Sequence, residues 1–426
     1  MAGVVSARPI VMTERLYYHD SFLHDFEAQV LEVGPAGNSR HAVVLDRTAF
    51  YPSSGGQVHD TGWIFPISDH ASPAEEGSEL RVREVAETED GRIVHYIEAE
   101  KAPAKGTQVH GVVDPARRRD HMQQHSGQHV LSAAFVRMFN MPTVSFHMGE
   151  EYCSIDLDAA ILTQEQMIEA ENLSNEIIWE DRSVDIRFAT LEEARELGLR
   201  KVPPLDKDKL RLIDIHDFDL TACGGTHVRS TGQIGSILLR KLEKVKQGWR
   251  VEFVCGERAI AVARRDYSVL TEAAGLFSTH IRELPQQIRK SLEEARALRK
   301  SREHLLEEVA ELQATQMLAQ TAETAGRKIV VRVFPDRDVL FLKLLAQKVT
   351  RLDSSVIALL GATAGQASLV FAQSPNQPFD MASLMKEVLS KLGGRGGGSK
   401  DLAQGGVPQG QGLELALGEL KAKLSA

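Results

Sequence analysis

The sequence predicts an α+β protein with four parts: an N-terminal β-barrel or sandwich, a central α+β domain with a metal site, a helical segment and a small C-terminal α/β domain. Residues 15–115 contain short apolar runs separated by turn residues. From residue 116, helical and strand-like patterns mix without strict alternation, which favours α+β over α/β. We place the domains at residues 1–115, 116–262, 263–327 and 328–426.

The amino-acid composition limits the class of protein to which the chain can belong. The chain has 426 residues, 42% of them hydrophobic and 26% charged, as in ordinary globular proteins of several domains. Three cysteines (Cys153, Cys223 and Cys255) cannot build a disulfide framework and indicate a reducing compartment. We find no signal-peptide pattern at the N-terminus, and the apolar run 356–371 is too short and too polar to span a bilayer. The expected protein is cytoplasmic and has no membrane partner.

The charge distribution leaves a nucleic-acid partner open. The net charge of −9 argues mildly against such a partner. However, residues 117–119, 201–211 and 239–250 are locally basic. Each basic cluster could be a solvated face or a nucleic-acid contact, and the sequence does not separate the two.

The N-terminal segments read as strands. FEAQVLEV (26–33) and HAVVLDRT (41–48) alternate or run apolar between turn residues, and residues 68–81 form a polar loop. Several short strands with frequent turns predict a small barrel or sandwich.

The central region predicts two helices and a set of strands. HSGQHVLSAAFVRMF (125–139) and the segment 165–181 have helical spacing. Strand-like segments are CSIDL (153–157), VDIRF (184–188), LRLIDI (210–215), GSILLRKLEKV (235–245) and WRVEFVCG (249–256).

The C-terminal half begins with a long charged segment. Residues 284–320 carry apolar positions at helical spacing, interrupted at Arg299 and Arg302, and predict one long helix or a helical hairpin that could support a homodimer. From 328 the pattern is strand, helix, strand, strand, helix, then a glycine-dense stretch and a final helix at 413–424. The glycine-dense stretch could be a flexible linker or a phosphate-binding loop.

Two pentapeptides predict a metal site. In HSGQH (125–129) the two histidines lie about 40° apart around a helix and about 6 Å apart along it, on one face. In CGGTH (223–227) the glycines let the chain fold tightly enough to bring Cys223 and His227 together. Thiolate and imidazole suit Zn²⁺. A structural zinc site remains the alternative, whereas Ser126 stands where a zinc protease would carry glutamate.

These motifs resemble one family. TAFYPSSGGQVHDTG (48–62), HSGQH (125–129), CGGTHVRSTGQIG (223–235) and GGRGGG (393–398) occur in the order found in the alanyl-tRNA editing proteins of the AlaX family, long form, and in the editing half of alanyl-tRNA synthetase. The resemblance implies an N-terminal barrel with a glycine motif, a central editing domain and a C-terminal tRNA-binding domain. We expect no aminoacylation domain.

The resemblance also implies the site residues. One zinc ion per chain would be held by His125, His129, Cys223 and His227. We predict catalytic roles for Ser126, Gln128 and Cys223, and substrate contacts for Gly55, Gly56, Gln57, Ser145, His147 and Thr226. The predicted tRNA contacts are Arg395, Gly396, Gly397, Gly398 and Lys400. Phe146 departs from the family, whose members carry a polar residue at about that position.

The implied activity is removal of serine, and also of glycine, from mischarged tRNA(Ala). Alanine and serine differ by one hydroxyl, which an alanine pocket rejects poorly, so a second, hydrolytic site is needed. Two rival functions are a non-catalytic RNA-binding protein with structural zinc and a zinc hydrolase of small esters. Four protein ligands leave no vacant position for water, which is unusual for catalytic zinc.

Overall fold

The computed structural model describes residues 12–36, 40–67, 79–197, 199 and 209–425, and the chain divides into two compact units, Met1–Leu270 and Thr271–Ala426. Strands and helices mix in both units, so the predicted α+β class is confirmed. Most of the predicted loop 68–81 and of the basic segment 201–211 lies outside the described residues.

The first unit begins with a closed barrel, which confirms the predicted N-terminal barrel. Phe26, Ala28 and Val30 alternate with exposed polar residues along its first strand, so one face of the strand fills the interior. A short strand β1 (Glu14–Arg15) pairs with β4 (Arg47–Thr48) outside it. The barrel strands are β2 (Asp25–Pro35), β3 (Arg40–Leu45), β5 (Gly62–Pro66), β6 (Leu80–Glu87), β7 (Ile93–Glu98) and β8 (Gln108–Val113), closed in the order β2-β3-β7-β6-β5-β8.

A neutral histidine is sealed inside this barrel. His95 has no exposed surface; its Nδ1–H donates to the Val43 carbonyl at 3.1 Å, and its Nε2 accepts from the Thr48 hydroxyl at 2.8 Å. Burial lowers the pKa of His95 from its ordinary 6.5 to about 4, because the charged form would lose its hydration.

We therefore expect the barrel to weaken in mild acid. Between pH 6.5 and 4 the unfolded chain takes up a proton at His95 that the folded chain does not, so stability is unaffected above pH 6.5 and falls below it. The loss is at most about 1.4 kcal/mol per pH unit. Urea unfolding at pH 7, 6 and 5 measures it, and His95→Gln should flatten the slope relative to the wild type. An equally steep slope in the variant would contradict this assignment.

A buried helix and two sheets follow the barrel. Helix α1 (Pro115–Phe139) starts at Asp114, whose carboxylate caps the first turn, and it is buried over most of its length. The first sheet has the antiparallel order β14-β15-β10-β9, and the second has the order β11-β12-β13. Their strands are β9 (Thr143–Met148), β10 (Cys153–Leu157), β11 (Val184–Thr190), β12 (Lys209–Ile215), β13 (Asp219–Ala222), β14 (Ile237–Val245) and β15 (Gly248–Cys255). Further helices are α2 (Gln164–Trp179), α3 (Leu191–Glu196) and α4 (Gly256–Leu276).

Gly127 explains how closely α1 approaches the first sheet. A Cβ at this position would collide with the Sγ of Cys255 on β15. The helix therefore accepts the cost of about 1 kcal/mol for an interior glycine in order to pack against the strand.

The second unit is a six-stranded sheet with helices on both faces. The sheet has the order β16-β17-β18-β19-β21-β20, and only β17 and β18 are parallel. Every residue of β18 is buried, as expected for a strand covered on both faces. The strands are β16 (Glu323–Thr324), β17 (Arg327–Phe334), β18 (Val356–Ala362), β19 (Ser368–Gln373), β20 (Arg395–Gly398) and β21 (Leu402–Gly406). The helices are α5 (Leu284–Gln320), α6 (Val339–Leu352), α7 (Met381–Leu392) and α8 (Leu413–Ser425).

The long charged segment forms one continuous helix, so the hairpin alternative is excluded. Its C-terminal part belongs to the core of the second unit, where Ala310, Ala314 and Met317 pack with α6. None of the helices in the described ranges combines the length and the apolar character needed to cross a bilayer.

Candidate metal centre

The two predicted pentapeptides converge in the first unit. His125 and His129 lie one turn apart on α1, and Cys223 and His227 lie in the loop after β13. Their donor atoms all lie within 4.8 Å of one another, and the three histidines are almost completely buried. This cluster could hold a single metal ion.

Gln57 of the barrel fixes the ring of His125. Thr226 N–H donates to Gln57 Oε1 at 3.1 Å, which assigns that atom as the amide oxygen. The same oxygen lies 2.7 Å from His125 Nδ1, so Nδ1 carries the proton. His125 Nε2 therefore holds the free lone pair, and it faces Cys223 Sγ at 3.4 Å.

Ser126 holds the ring of His227 in the same way. The Ser126 hydroxyl lies 3.1 Å from His227 Nδ1 and also accepts from Val228 N–H at 3.1 Å, leaving His227 Nε2 directed at Cys223 Sγ, 3.4 Å away. Burial lowers the pKa of His227 to about 3, so its imidazole is neutral at pH 7 and can act as a ligand. The structure thus places Ser126 against a ligand ring, buried rather than open to solvent.

Asp219 supports the third histidine, and sequence reasoning missed it. A carboxylate oxygen of Asp219 lies 3.5 Å from His129 Nδ1, and both side chains are buried. Side chains alternate between the two faces of a strand, so every second residue from Asp219 through residue 221 to Cys223, just after β13, points to the same face. This two-residue period in DFDLTAC was a usable signal.

The distances from two imidazole nitrogens to Cys223 Sγ fit a tetrahedral ion. Two donors on a zinc ion with Zn–N of about 2.0 Å and Zn–S of about 2.3 Å lie about 3.5 Å apart. The two Nε2–Sγ separations of 3.4 Å match this edge. Gly225 N–H points at Cys223 Sγ from 3.4 Å and favours the thiolate form that a metal requires. Each histidine also has a polar group beside its Nδ1, as metal-bound histidines usually do.

Gly225 lets the loop close over His125. A Cβ at Gly225 would collide with the His125 ring and lie 2.9 Å from Gln57 Oε1. We expect Gly225→Ala to displace both side chains and to lower metal affinity by about 10- to 100-fold, the usual cost of disturbing groups that orient a ligand. Competition with a chromogenic chelator measures the affinity. Gly224→Ala is the control, because a Cβ there meets Tyr18 at ordinary contact distances of 3.4 Å or more. Equal affinity in both variants would contradict this account.

Arg211 holds the CGGTH loop, and it too was missed. Its guanidinium is buried and donates to the carbonyls of Cys223 at 2.7 Å and Gly225 at 2.9 Å. Its Nε–H donates to the Tyr18 carbonyl at 2.9 Å, which ties the loop to the segment before the barrel.

The glycine motif forms a tight hairpin turn next to the cluster. Ser54 and Gln57 exchange backbone hydrogen bonds around Gly55 and Gly56, whose φ angles of +58° and +86° suit glycine. A Cβ on Gly56 would lie 2.6 Å from the Phe146 carbonyl, so glycine permits the turn to approach β9. The Phe146 ring in turn stacks on His125 with centroids 5.4 Å apart. The turn and Phe146 form one wall beside the cluster.

Three predicted site residues lie away from the cluster. Ser145 is exposed and donates to Asp156 at 2.8 Å, and His147, two residues on, is also exposed. Both point to the sheet face opposite Phe146. Gln128 donates to Ser132 Oγ at 2.7 Å, one turn further along α1.

The basic cluster 117–119 is not simply a solvated face. Arg118 has no exposed surface and pairs with the equally buried Asp60. The two residues join the first turn of α1 to the barrel.

Comparisons with known proteins agree with this architecture. Family models match residues 8–117 (tRNA synthetases class II (A)), residues 210–252 (threonyl and alanyl tRNA synthetase second additional domain) and residues 318–426 (DHHA1 domain). The alanyl-tRNA editing protein AlaX-L of Pyrococcus horikoshii is 32% identical over 93% of this chain and 95% of its own length. The chain belongs to the AlaX family. The alanine–tRNA ligase of Archaeoglobus fulgidus is also 32% identical over 93% of the chain, which spans only 42% of the ligase.

One solved structure also matches the AlaX-family chain. The C-Ala domain of Aquifex aeolicus alanyl-tRNA synthetase is 24% identical, and the match covers 25% of this chain and 99% of that domain with a TM-score of 0.24.

The glycine-dense segment of the second unit is a strand in this AlaX-family protein. Arg395–Gly398 pairs with β21, so the flexible-linker alternative is wrong. Arg395, Gly396 and Gly397 line an open cavity of about 900 Å³, and Gly398 and Lys400 lie just beyond it along the chain. Arg395 and Lys400 are both exposed.

A second cavity, of about 970 Å³, lies behind the metal cluster in the first unit. It is bounded by the C-terminal half of α1 and by residues 214–220, and it reaches the cluster through Asp219. Asp219, which lines this cavity, lies 3.5 Å from His129 Nδ1.

Proposed function

We propose that this chain removes serine from mischarged Ser-tRNA(Ala), and glycine from Gly-tRNA(Ala), by zinc-dependent ester hydrolysis in trans. As a member of the AlaX family, the chain is an aminoacyl-tRNA hydrolase. The observation that carries the proposal is the buried cluster of His125, His129, Cys223 and His227, within hydrogen-bonding reach of the glycine motif through Gln57.

The proposed ion is zinc. Three imidazoles and one thiolate within 4.8 Å of one another suit Zn²⁺ better than Mg²⁺ or Ca²⁺, which prefer oxygen ligands. When bound, zinc supplies a Lewis acid that can polarise an ester carbonyl or lower the pKa of water. Gln57, Ser126 and Asp219 hold the three imidazoles in position, which is the contribution of the surrounding protein.

The wall beside the cluster would receive the aminoacyl end. Gly55 and Gly56 are exposed there, so a substrate can approach their backbone closely. Phe146 covers His125 and limits access of bulk water. Gln57 and Thr226 are hydrogen-bonded to each other and connect the barrel to the CGGTH loop. A polar group that the serine hydroxyl satisfies and alanine leaves unpaired would give the selectivity.

The second unit would bind the tRNA body. Arg395 and Lys400 offer exposed cations, and the glycines of β20 lie at the cavity of about 900 Å³. Backbone amides and cations of this kind suit RNA phosphates. Such binding would make the KM for Ser-tRNA(Ala) strongly dependent on salt.

A structural metal is the second candidate. The cluster offers four protein donor atoms, the number that is usual for structural zinc. In that case the chain would bind RNA without turning it over.

A deacylation assay tests the proposal. The full chain is incubated with Ser-, Gly- and Ala-tRNA(Ala), with and without a chelator. We expect hydrolysis of Ser-tRNA(Ala), loss of that activity with chelator, and slow hydrolysis of Ala-tRNA(Ala). Equal rates on the serine and alanine esters would overturn the proofreading role, and tight tRNA binding without hydrolysis would favour the structural metal.

A further inference from the structure

A row of three residues crosses the second sheet at the metal site. Phe188 on β11 is paired directly with Arg211 on β12, and Cys223 N–H continues the ladder by donating to the Arg211 carbonyl at 3.1 Å. Directly paired residues of antiparallel strands project to the same face of a sheet. Phe188, Arg211 and Cys223 therefore share one face, and two strand spacings put Phe188 about 10 Å from Cys223.

The middle of this row is already occupied by the protein. The Arg211 guanidinium donates to two loop carbonyls, and the Tyr18 ring lies over it with its centroid 5.5 Å from the guanidinium carbon. A Cβ built on the exposed Gly224 would lie 3.4 Å from the Tyr18 hydroxyl, so the two residues are neighbours. Tyr18 and Gly224 thus lie together beside Arg211 and the CGGTH loop.

The outer end of the row is open. The Phe188 side chain is 47% exposed, and the exposed His19 ring lies against it with centroids 5.4 Å apart and a tilt of 36°. Lys209, also exposed, lies two residues from Arg211 on β12 and so projects to the same face. Two neighbouring rings and one cation are thus presented together next to the metal site.

We propose that Phe188 and His19 form a stacking platform for a base at the single-stranded 3′ end of the RNA substrate, with Lys209 contacting an adjacent phosphate. This inference rests on the proposed function, because it assumes that the ester of an RNA 3′ end lies at the cluster. The base of a nucleotide next to that ester would lie about as far from the cluster as Phe188 does. Proteins hold single strands by aromatic stacking and cationic contacts to the backbone.

The chemistry favours a base over a protein partner. Among the residues that the structure describes, this surface presents the Phe188 ring and the neighbouring His19 ring beside the charged Lys209. A flat ring with a nearby cation suits a nucleotide, whereas protein interfaces need a larger apolar centre.

Binding of a short RNA tests the platform without requiring hydrolysis. The probe is an oligonucleotide ending in CCA with 2-aminopurine in place of the terminal or the penultimate base, titrated into the full chain. We expect the fluorescence of 2-aminopurine to be quenched when the oligonucleotide binds. Phe188→Ala should lower the affinity for the oligonucleotide on the order of tenfold, whereas Phe188→Trp, which retains a stacking ring, should keep near wild-type affinity. His19→Ala should weaken binding less. Trp179→Ala, which removes an exposed aromatic at the end of α2, is the matched control.

Three results would overturn the platform. The wild type could leave the fluorescence of 2-aminopurine unquenched, Phe188→Ala could bind the oligonucleotide as tightly as the wild type, or Trp179→Ala could lose as much affinity as Phe188→Ala. Circular dichroism checks that the variants fold. With Ser-tRNA(Ala), Phe188→Ala should raise KM while leaving kcat nearly unchanged. Quenching that depends on Phe188 in a protein that hydrolyses no aminoacyl-tRNA would refute the proposed function and leave the platform standing.

Discussion

Replacing His125 with alanine is expected to release the metal ion and to lower the kcat/KM for Ser-tRNA(Ala) by about a thousandfold. The variant loses one of four ligands and also leaves Gln57 Oε1 without its imidazole partner. The magnitude follows from the several kcal/mol that a Lewis acid contributes to stabilising developing charge. Elemental analysis of purified protein and single-turnover deacylation measure the two effects.

A surface histidine provides the control for this variant. His110 lies on the barrel with 42% of its side chain exposed, and His110→Ala should keep both metal and activity. A His125→Ala protein that retains a full equivalent of metal would contradict the ligand assignment. One that loses metal but deacylates at the wild-type rate would show that the metal is structural.

The second large effect is expected at the buried ion pair of Asp60 and Arg118. Neither side chain is exposed, and Arg118 also donates to the carbonyls of Ser21 and Ala49. Asp60 additionally accepts from Tyr51 N–H at 2.7 Å. Asp60→Asn removes the charge that compensates the guanidinium and should destabilise the first unit by about 3–5 kcal/mol. Urea unfolding followed by far-UV circular dichroism measures the change.

An exposed pair in the barrel is the matched control. Arg83 and Glu98 lie 2.7 Å apart, with about half of each side chain in solvent. Glu98→Gln should cost less than about 1 kcal/mol, because water screens the interaction. Similar costs for Asp60→Asn and Glu98→Gln would contradict the idea that burial makes the first pair important.

Local patterns in the sequence predicted α1 and the convergence of His125, His129, Cys223 and His227, whereas for the N-terminal domain they left a barrel or a sandwich open. His125 and His129 are four residues apart and therefore lie on the same face of any α-helix. The segment CGGTH can fold tightly because of its glycines. The partners of these ligands depend on long-range packing. Gln57 reaches His125 only because the barrel docks against α1, and Arg211 reaches the loop only through the register of β12 and β13.

Ser145 and His147 lie away from the cluster for a specific physical reason. The polarity of Ser145 and His147 predicts substrate contacts, but the alternation of side chains along β9 decides which of them face α1. β9 and β10 shift register between Thr143 and Ser145, so Thr143 meets Ser132 of α1 while Ser145 turns to Asp156. A register shift of one residue exchanges the sheet faces to which the side chains point, and nothing in the segment TVSFHM indicates that shift.

The order of the ligands along the chain has a consequence for biosynthesis. The barrel strands and both α1 histidines are translated well before Cys223 and His227, so the barrel can fold on the ribosome while the first two ligands still lack their partners. For the proposed metal site, binding of the ion is then a late step of maturation, because it must follow the synthesis of Cys223 and His227.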